Sequence, residues 1–327
     1  MWLQKAGYST YYTGKLFNSH NVDNWNNPRP AGWTSSDFLL DPHTYEYLNA
    51  TFQRNEHPPV NHKGQYSTDL IAEKGYALLD EGVKSAKPFF LTLAPIAPHS
   101  NIDPSAIEEI NGTRKVVMTT PIPAERHKHL FPGIKIPRTA NFNPDQPSGV
   151  SWIKRLSKID DAIIEYNDDF YRARLQALQA VDEIVEGLIT RLTDYGILEN
   201  TYIIYSTDNG YHISQHRLPP GKECGFEEDI NVPLIIRGPG VPIGETDVVT
   251  AHTDLAPTIL KIAKAGWGWE GLDGSPIPLD RDEIEMAKGS RQEHVNVEFW
   301  GRGIAEGVHG FSLDDGKFGR YMGCRFL

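Results

Sequence analysis

The chain has 327 residues, 39% of them apolar and 23% charged, with a formal net charge of −11. That is a globular composition, long enough to bury one large core or one domain plus a smaller one. The absence of any basic run argues against a nucleic-acid or anionic-membrane partner, and no apolar stretch approaches the roughly 18 residues of a membrane span.

Trp2-Leu3-Gln4-Lys5-Ala6 reads as a helix end stopped by Gly7 at a C′-type position. A chain that opens inside an element suggests truncation, and its first residues hold no signal-peptide apolar region. Asn18–Pro59, rich in Asn, Pro and aromatics without a sustained period, reads as a long loop. Ser67-Thr68-Asp69 caps a helix running to about Val83. Lys87-Pro88 breaks it, and Phe89–Leu93 reads as a buried strand. Asn101–Ser148 is again Pro/His/Asn-rich loop. Asp160–Leu192 keeps a three- and four-residue apolar spacing and is the longest expected helix. Tyr202–Ser206 and Pro233–Arg237 read as strands, and Asp254–Ala263 as a helix with Pro257 near its start. After Ala265 the pattern weakens. Strands alternating with helices predict an α/β sheet covered on both faces, whose ligands sit beyond the carboxyl ends of the strands.

Several residues could carry chemistry. Asp208 and Asn209 place two hard oxygen ligands where an apolar strand ends, although Asp-Asn-Gly alone is an ordinary turn signal. Lys222 follows in a Gly/Pro-rich loop, so a metal-bound oxyanion is one reading of Ser206–Gly240. An acidic protein that binds an anion needs such a local cationic pocket. Lys15 ends Gly7–Lys15 and can act on an anion as a point charge. His99 stands behind Pro95 and Pro98 at a strand end. Cys224 and Cys324 are the only cysteines, too few for a disulfide framework or a zinc site. Asn49 and Asn111 begin N-glycosylation tripeptides, which also arise by chance in polar loops.

Taken in order, GYSTYYTGK, LAPIAPHSN and STDNGYHISQH…GK…EEDINVPLIIRGPG resemble motifs of the sulfatases, closest to fungal arylsulfatases and N-acetylglucosamine-6-sulfatases. The resemblance runs from Gly7 to about Ala263. It implies an alkaline-phosphatase-like α/β fold, with a partial catalytic domain over 1–265 and the start of a smaller C-terminal subdomain over 266–327. It further implies that Lys15 and Lys222 contact the sulfate oxygens, and that His99 contacts the ester oxygen and can protonate the leaving group. Asp208 and Asn209 would be two ligands of Ca2+. These roles fit the chemistry, because cations and a metal neutralise charge that builds in the transition state. The implied partner is a small-molecule or sugar sulfate ester, and the implied location of the complete protein is secreted or lysosomal/vacuolar.

Two departures stand out. Many sulfatases place a histidine where this chain has Phe17; the glucosamine-sulfatase branch also lacks it. His212 is open to either a substrate-pocket role or plain loop packing, and His216 lies near it. The larger departure is the Cys-x-Pro/Ala-x-Arg motif, whose cysteine is oxidised to the formylglycine nucleophile. Neither Cys224 nor Cys324 sits in such a motif, and the paired aspartates and strand before it are missing too. The chain is therefore expected to be inactive alone, with in-frame codons for the missing motif upstream of Met1. The alternatives are a non-catalytic remnant that keeps an anion pocket, and a phosphodiesterase or phosphonate hydrolase of the same superfold. The lysine pair favours sulfate over the latter.

Overall fold

A computed structural model describes residues 1–110, 113–266, 271–288, 294–298 and 306–310. The short helix α1 (Trp2–Lys5) runs into Gly7, whose φ of +90° ends it as the sequence suggests. Then come β1 (Ser9–Lys15), β2 (Ser35–Leu39), β3 (Thr51–Arg54), β4 (Val60–Asn61), α2 (Ser67–Lys84) and β5 (Phe89–Ala94). These strands form a five-stranded mixed sheet in the order β4-β3-β2-β1-β5. Central β1 pairs in parallel with β2 and β5, while β3 runs antiparallel to β2 and β4.

A hairpin follows, β6 (Asn101–Ile110) with β7 (Thr113–Thr119). Next come α3 (Ser151–Lys154), the long α4 (Asp161–Asp194), β8 (Ile203–Ser206), α5 (Glu227–Ile230) and β9 (Leu234–Arg237). β8 and β9 form a separate antiparallel pair. α6 (Leu255–Ile262) and α7 (Arg281–Lys288) close the described chain apart from short segments. The Asp160 carboxylate caps α4 by accepting from the Ile163 N–H at 2.9 Å, a contact worth about 1 kcal/mol.

Three expectations need correcting. The stretch expected as loop from Asn18 to Pro59 holds β2 and β3, and that from Asn101 to Ser148 holds the β6–β7 hairpin. β2 shows why: all five of its residues are buried, polar Ser35, Ser36 and Asp37 included, so no alternation marks it. The Lys74 ammonium stands 3.1 Å from the Asp37 carboxylate and makes that burial tolerable. β5 was expected to be buried but is half-exposed along its length. Among the described residues it pairs only with β1, and β8 only with β9.

Strand alternation splits the core. Leu39 and Phe52 join Ile71 of α2 and Ala177, Val181 and Ile184 of α4 in one cluster. Tyr12, Phe38 and Leu40 point to the opposite face, against Trp25 and Trp33 of the aromatic loop. α2 and α4 thus cover one face of the five strands and that loop covers the other. Phe38 is fully buried, and truncating it to alanine would cost about 3–5 kcal/mol. Because β1 and β5 run parallel, Lys15 and the segment after Ala94 leave the sheet at the same carboxyl-terminal edge.

Candidate anion site

Lys15 is the last residue of β1, and the residue before it fixes its position. Gly14 has φ +107°, and a Cβ there would lie 2.1 Å from the Ala94 carbonyl oxygen of β5. Only glycine takes that backbone at that separation. The Lys15 ammonium bonds the Tyr45 hydroxyl and lies 4.6 Å from the centre of that ring. Burial lowers the Lys15 pKa, and the carboxylates of Asp208 and Asp41 oppose the shift.

His99 follows β5 across Ala97–Pro98, which is a cis peptide. Its ring stacks on Tyr45 at 4.2 Å between centroids, so Tyr45 bridges Lys15 and His99. Burial pushes the Tyr45 phenol up to about 12, keeping it a neutral hydrogen-bonding group. The His99 Nδ1 faces the Ser100 carbonyl at 2.8 Å. The peptide turn beneath is held from α4, where Arg174 donates to the Pro98 carbonyl at 2.9 Å and stacks over the Tyr211 ring at 4.0 Å.

Lys222 arrives from the loop after β8. The strand-like bridge between His212 and Gly221, with N–H···O distances of 2.9 and 3.1 Å, sets that loop. The Lys222 Nζ stands 3.9 Å from the Glu306 carboxylate, and the His99 Nε2 stands 4.0 Å from the same oxygen. The structure therefore gathers Lys15, His99 and Lys222 around Tyr45 and Glu306.

Burial pushes His99 down to about 4; Glu306 and the Ser100 carbonyl act the other way, while Lys222 and Lys15 add to the fall. The ring is neutral at neutral pH. Burial also works against charge on Glu306, yet His99, Lys222 and the hydroxyls of Ser100 and Tyr211 hold it below the usual carboxylate range. With His99 neutral, Lys222 and the two hydroxyls carry that effect at neutral pH.

Asp208 and Asn209 follow β8, with Asp208 exposed. The Asp208 Oδ1 accepts from the Asn209 N–H at 3.0 Å, and the Asn209 Nδ2 donates to the Gly210 carbonyl at 2.7 Å. Gly210 lies so close to α5 that a Cβ would meet the Glu228 carbonyl oxygen at 2.0 Å. The pair suits calcium in kind, as hard oxygens, but offers two of the six to eight oxygens such an ion takes. They do not by themselves make a calcium site.

His212 bridges Gly221, beside Lys222, and follows Tyr211, whose hydroxyl bonds Glu306. It is 2% exposed, with Nδ1 at 2.8 and 3.0 Å from the Asp229 carboxylate oxygens. The Asp229 bonds occupy its Nδ1 and tie it into the loop that carries Lys222. His212, Cys224 and Asp229 bring ligand-type atoms within 4.8 Å of one another, all buried. The His212–Asp229 spacing is a hydrogen bond, shorter than the about 3.3 Å that separates two ligands of a tetrahedral zinc. His216 stacks on Phe226 at 3.8 Å.

Phe17 is 55% exposed, its ring 5.3 Å from that of His20, and it transfers no proton. Asn49 is tied into its turn: Nδ2 donates to Glu46 at 2.9 Å and Oδ1 accepts from Asn61 at 3.1 Å. Ala50 and Thr51 are buried. Asn111 and Cys324 lie outside the described residues.

Tyr45, Arg174 and Glu306 carry no motif signal. Glu306 is 2% exposed and reaches the site across 206 residues from Ser100, its bonding partner.

The sulfatase family model matches residues 1–265. The chain is 39% identical to an arylsulfatase of Volvox carteri, over 94% of this chain and 50% of that protein. It is 43% identical to the sulfatase ppz1 of Metarhizium majus, over 78% and 56%. It is 33% identical to the human N-acetylglucosamine-6-sulfatase, over 91% and 51%. The protein belongs to the sulfatase family, a family of sulfate-ester hydrolases whose members typically bind a metal. The chain spans about half the length of the curated relatives it matches. Its fold matches BT4656, solved with D-glucosamine-2-N,6-O-disulfate, at a TM-score of 0.67 and 20% identity, over 92% of this chain and 66% of that one. The sulfatase yidJ of Bacteroides fragilis matches at a TM-score of 0.58 and 16% identity, over 90% and 61%. The α/β mixed sheet flanked by helices is thus the alkaline-phosphatase-like sulfatase fold.

Proposed function

We propose that this chain carries the sulfate-recognition half of an arylsulfatase-type sulfuric-ester hydrolase, which in the whole protein cleaves an aryl or sugar sulfate to alcohol and sulfate. One observation carries the reading: Lys15, His99 and Lys222, from three distant segments, converge around Tyr45 and Glu306. Lys15 and Lys222 neutralise the sulfate oxygens, and His99 faces the bridging oxygen and gives the leaving group its proton. Asp208 and Asn209 contribute part of the shell of a calcium ion, which would supply further positive charge at the sulfate. Formylglycine, as its hydrate, would supply the attack on sulfur. Cys224 and Cys324 are the only cysteines, and neither lies in the motif that yields it.

The family model covers residues 1–265, which supports a division into a catalytic part over those residues and a smaller part from 266 onward. The two parts are tied where Ser275 and Ile277 donate backbone N–H groups to Asp254 and Thr258 at 2.9 and 2.8 Å. The half-exposed edges of β5 and β8, both beside the α4 cluster through Leu93 and Tyr205, support a sheet that accepts another strand between them. A relative named extracellular sulfatase SULF-1 homolog in Drosophila melanogaster, 32% identical, supports a secreted or lysosomal/vacuolar placement. Among the described residues no helix is long and apolar enough to cross a membrane.

Calorimetry with inorganic sulfate tests the pocket. The wild-type chain binds, and Lys222→Ala weakens binding at least about tenfold. Equal affinities would sink the assignment of Lys222. The chain alone is expected not to hydrolyse 4-nitrophenyl sulfate, and turnover above the Lys222→Ala background would overturn that. A second reading, a non-catalytic anion binder, rests on the same cluster of Lys15, His99 and Lys222. Sulfate binding in a full-length transcript that also lacks the motif would establish it.

A further inference from the structure

Glu306 is a buried carboxylate for which the sulfate-binding roles leave no task. Its environment is built around it. The hydroxyls of Ser100 and Tyr211 both donate to Oε2, the latter at 2.7 Å. That leaves Oε1 as the oxygen nearest His99 Nε2, at 4.0 Å, and Lys222 Nζ, at 3.9 Å. The backbone is pinned as well: the Glu306 N–H donates to the Pro220 carbonyl at 2.7 Å, in the loop that carries Lys222. Two residues on, the Val308 N–H donates to the Tyr166 hydroxyl of α4 at 3.2 Å, and the next ring, His309, packs edge-on against Tyr166 at 4.8 Å.

The partner ring is equally fixed. The Ser100 carbonyl is an acceptor only, so the Nδ1 of His99 facing it at 2.8 Å carries the hydrogen. The neutral ring then presents its Nε2 lone pair on the Glu306 side, and the stack on Tyr45 holds that orientation. Among the described residues, the charged and aromatic side chains acting on His99 are Tyr45, Lys222, Lys15 and Glu306. Two of these are cations, one is a neutral phenol, and Glu306 is the carboxylate.

We infer that Glu306 is a positioning residue that acts through His99, its fixed carboxylate supplying the negative charge against which Nε2 takes up a proton beside Lys15 and Lys222. The inference rests on the reading of His99 as the group that delivers a proton to the leaving oxygen. A histidine between two lysines otherwise loses its proton before it can give one. The electrostatics agree in direction, since Glu306 opposes the depression that burial and the lysines impose on His99.

The test is an imidazole nitrogen NMR titration of the full chain from neutral pH to about pH 2, with the His99 signal assigned by its loss in His99→Gln. Glu306→Gln keeps an acceptor for Ser100 and Tyr211 but removes the charge. It is expected to weaken the proton affinity of His99 about tenfold or more, a shift of about one pH unit downward. Glu306→Asp keeps the charge and stays within about threefold of wild type. A Glu306→Gln shift under about threefold, or one upward, overturns the inference, since a carboxylate that only packs would leave His99 unmoved. Should Glu306→Gln fail to fold, the wild type decides: the Glu306 carboxyl carbon must move through the same pH step as His99, because an interacting pair titrates as a unit. No shared step overturns the inference. The titration needs neither ligand nor turnover. Failure of wild type to bind inorganic sulfate would therefore sink the sulfate reading separately from the coupling of His99 to Glu306.

Discussion

The cationic and metal-type parts of the site are built differently. Lys15 ends β1 and His99 lies in the turn after β5, the strand paired in parallel with β1, and Tyr45 packs between the two side chains. Asp208 is exposed on the loop after β8, and its bonding partners are its own neighbours, Thr207 and Asn209. Long-range partners fix the first group and local turn bonds fix the second. A side chain locked by distant packing has paid its ordering entropy before a ligand arrives, whereas a turn carboxylate has not. The cluster of Lys15, Tyr45 and His99 is thus held in place by the fold, while Asp208 and Asn209 are held only by their own turn.

Breaking the strand contact beneath the cationic part should have the largest effect. Gly14→Ala places a methyl group against the Ala94 carbonyl at a positive φ and should destabilise the chain by about 3 kcal/mol or more. Denaturant unfolding checks this; a loss under about 1 kcal/mol would mean that β1 and β5 are not so tightly apposed.

Acid should loosen the same part. His99 takes its proton at about 4 in the fold against about 6.5 unfolded. Between those values the unfolded chain binds the proton that the folded chain refuses, so stability falls as pH drops from about 6.5 to about 4, by at most about 3 kcal/mol. The depressed Glu306 acts in the same direction, its contribution being present above its unfolded pKa and lost as pH falls through its folded one. Urea melts at several pH values, wild type against His99→Gln, isolate the term; parallel curves would remove it.

A smaller loss is expected in binding alone. Lys15→Met should weaken inorganic sulfate about tenfold to a hundredfold by calorimetry while leaving the fold intact. The smallest effect belongs to the metal-type part. Asp208→Ala should change stability by no more than about 0.5 kcal/mol. Millimolar calcium should raise the wild-type melting midpoint little, since two side-chain oxygens hold the ion weakly. A large calcium shift would show that the chain's own shell is fuller than this pair.

The regular elements with strong periodicity were legible. α2 and α4 appear where the apolar spacing places them, although the residue at the start of α2 is Tyr66 and no side chain caps it, and β5, β8 and β9 appear where short apolar runs stand between breakers. β2 was not, because a strand buried on both faces with Ser, Ser and Asp in it has no period to read. Its polar groups are satisfied from elsewhere, by Lys74 of α2 and Asn55 after β3.

The sequence by itself determined the family motifs, the residues Lys15, His99 and Lys222 within them on which the sulfate proposal rests, and that neither Cys224 nor Cys324 lies in the nucleophile motif. Those are local patterns, carried by a few residues beside a strand end. Only the tertiary structure decided that His212 packs against Asp229 and that Tyr45 joins Lys15 to His99. It alone brought Glu306, in the weakly patterned region after Ala265, to the centre of the pocket. A buried carboxylate is placed by the hydroxyls and cations that satisfy it, and here those come from the turn after β5 and the loop after β8.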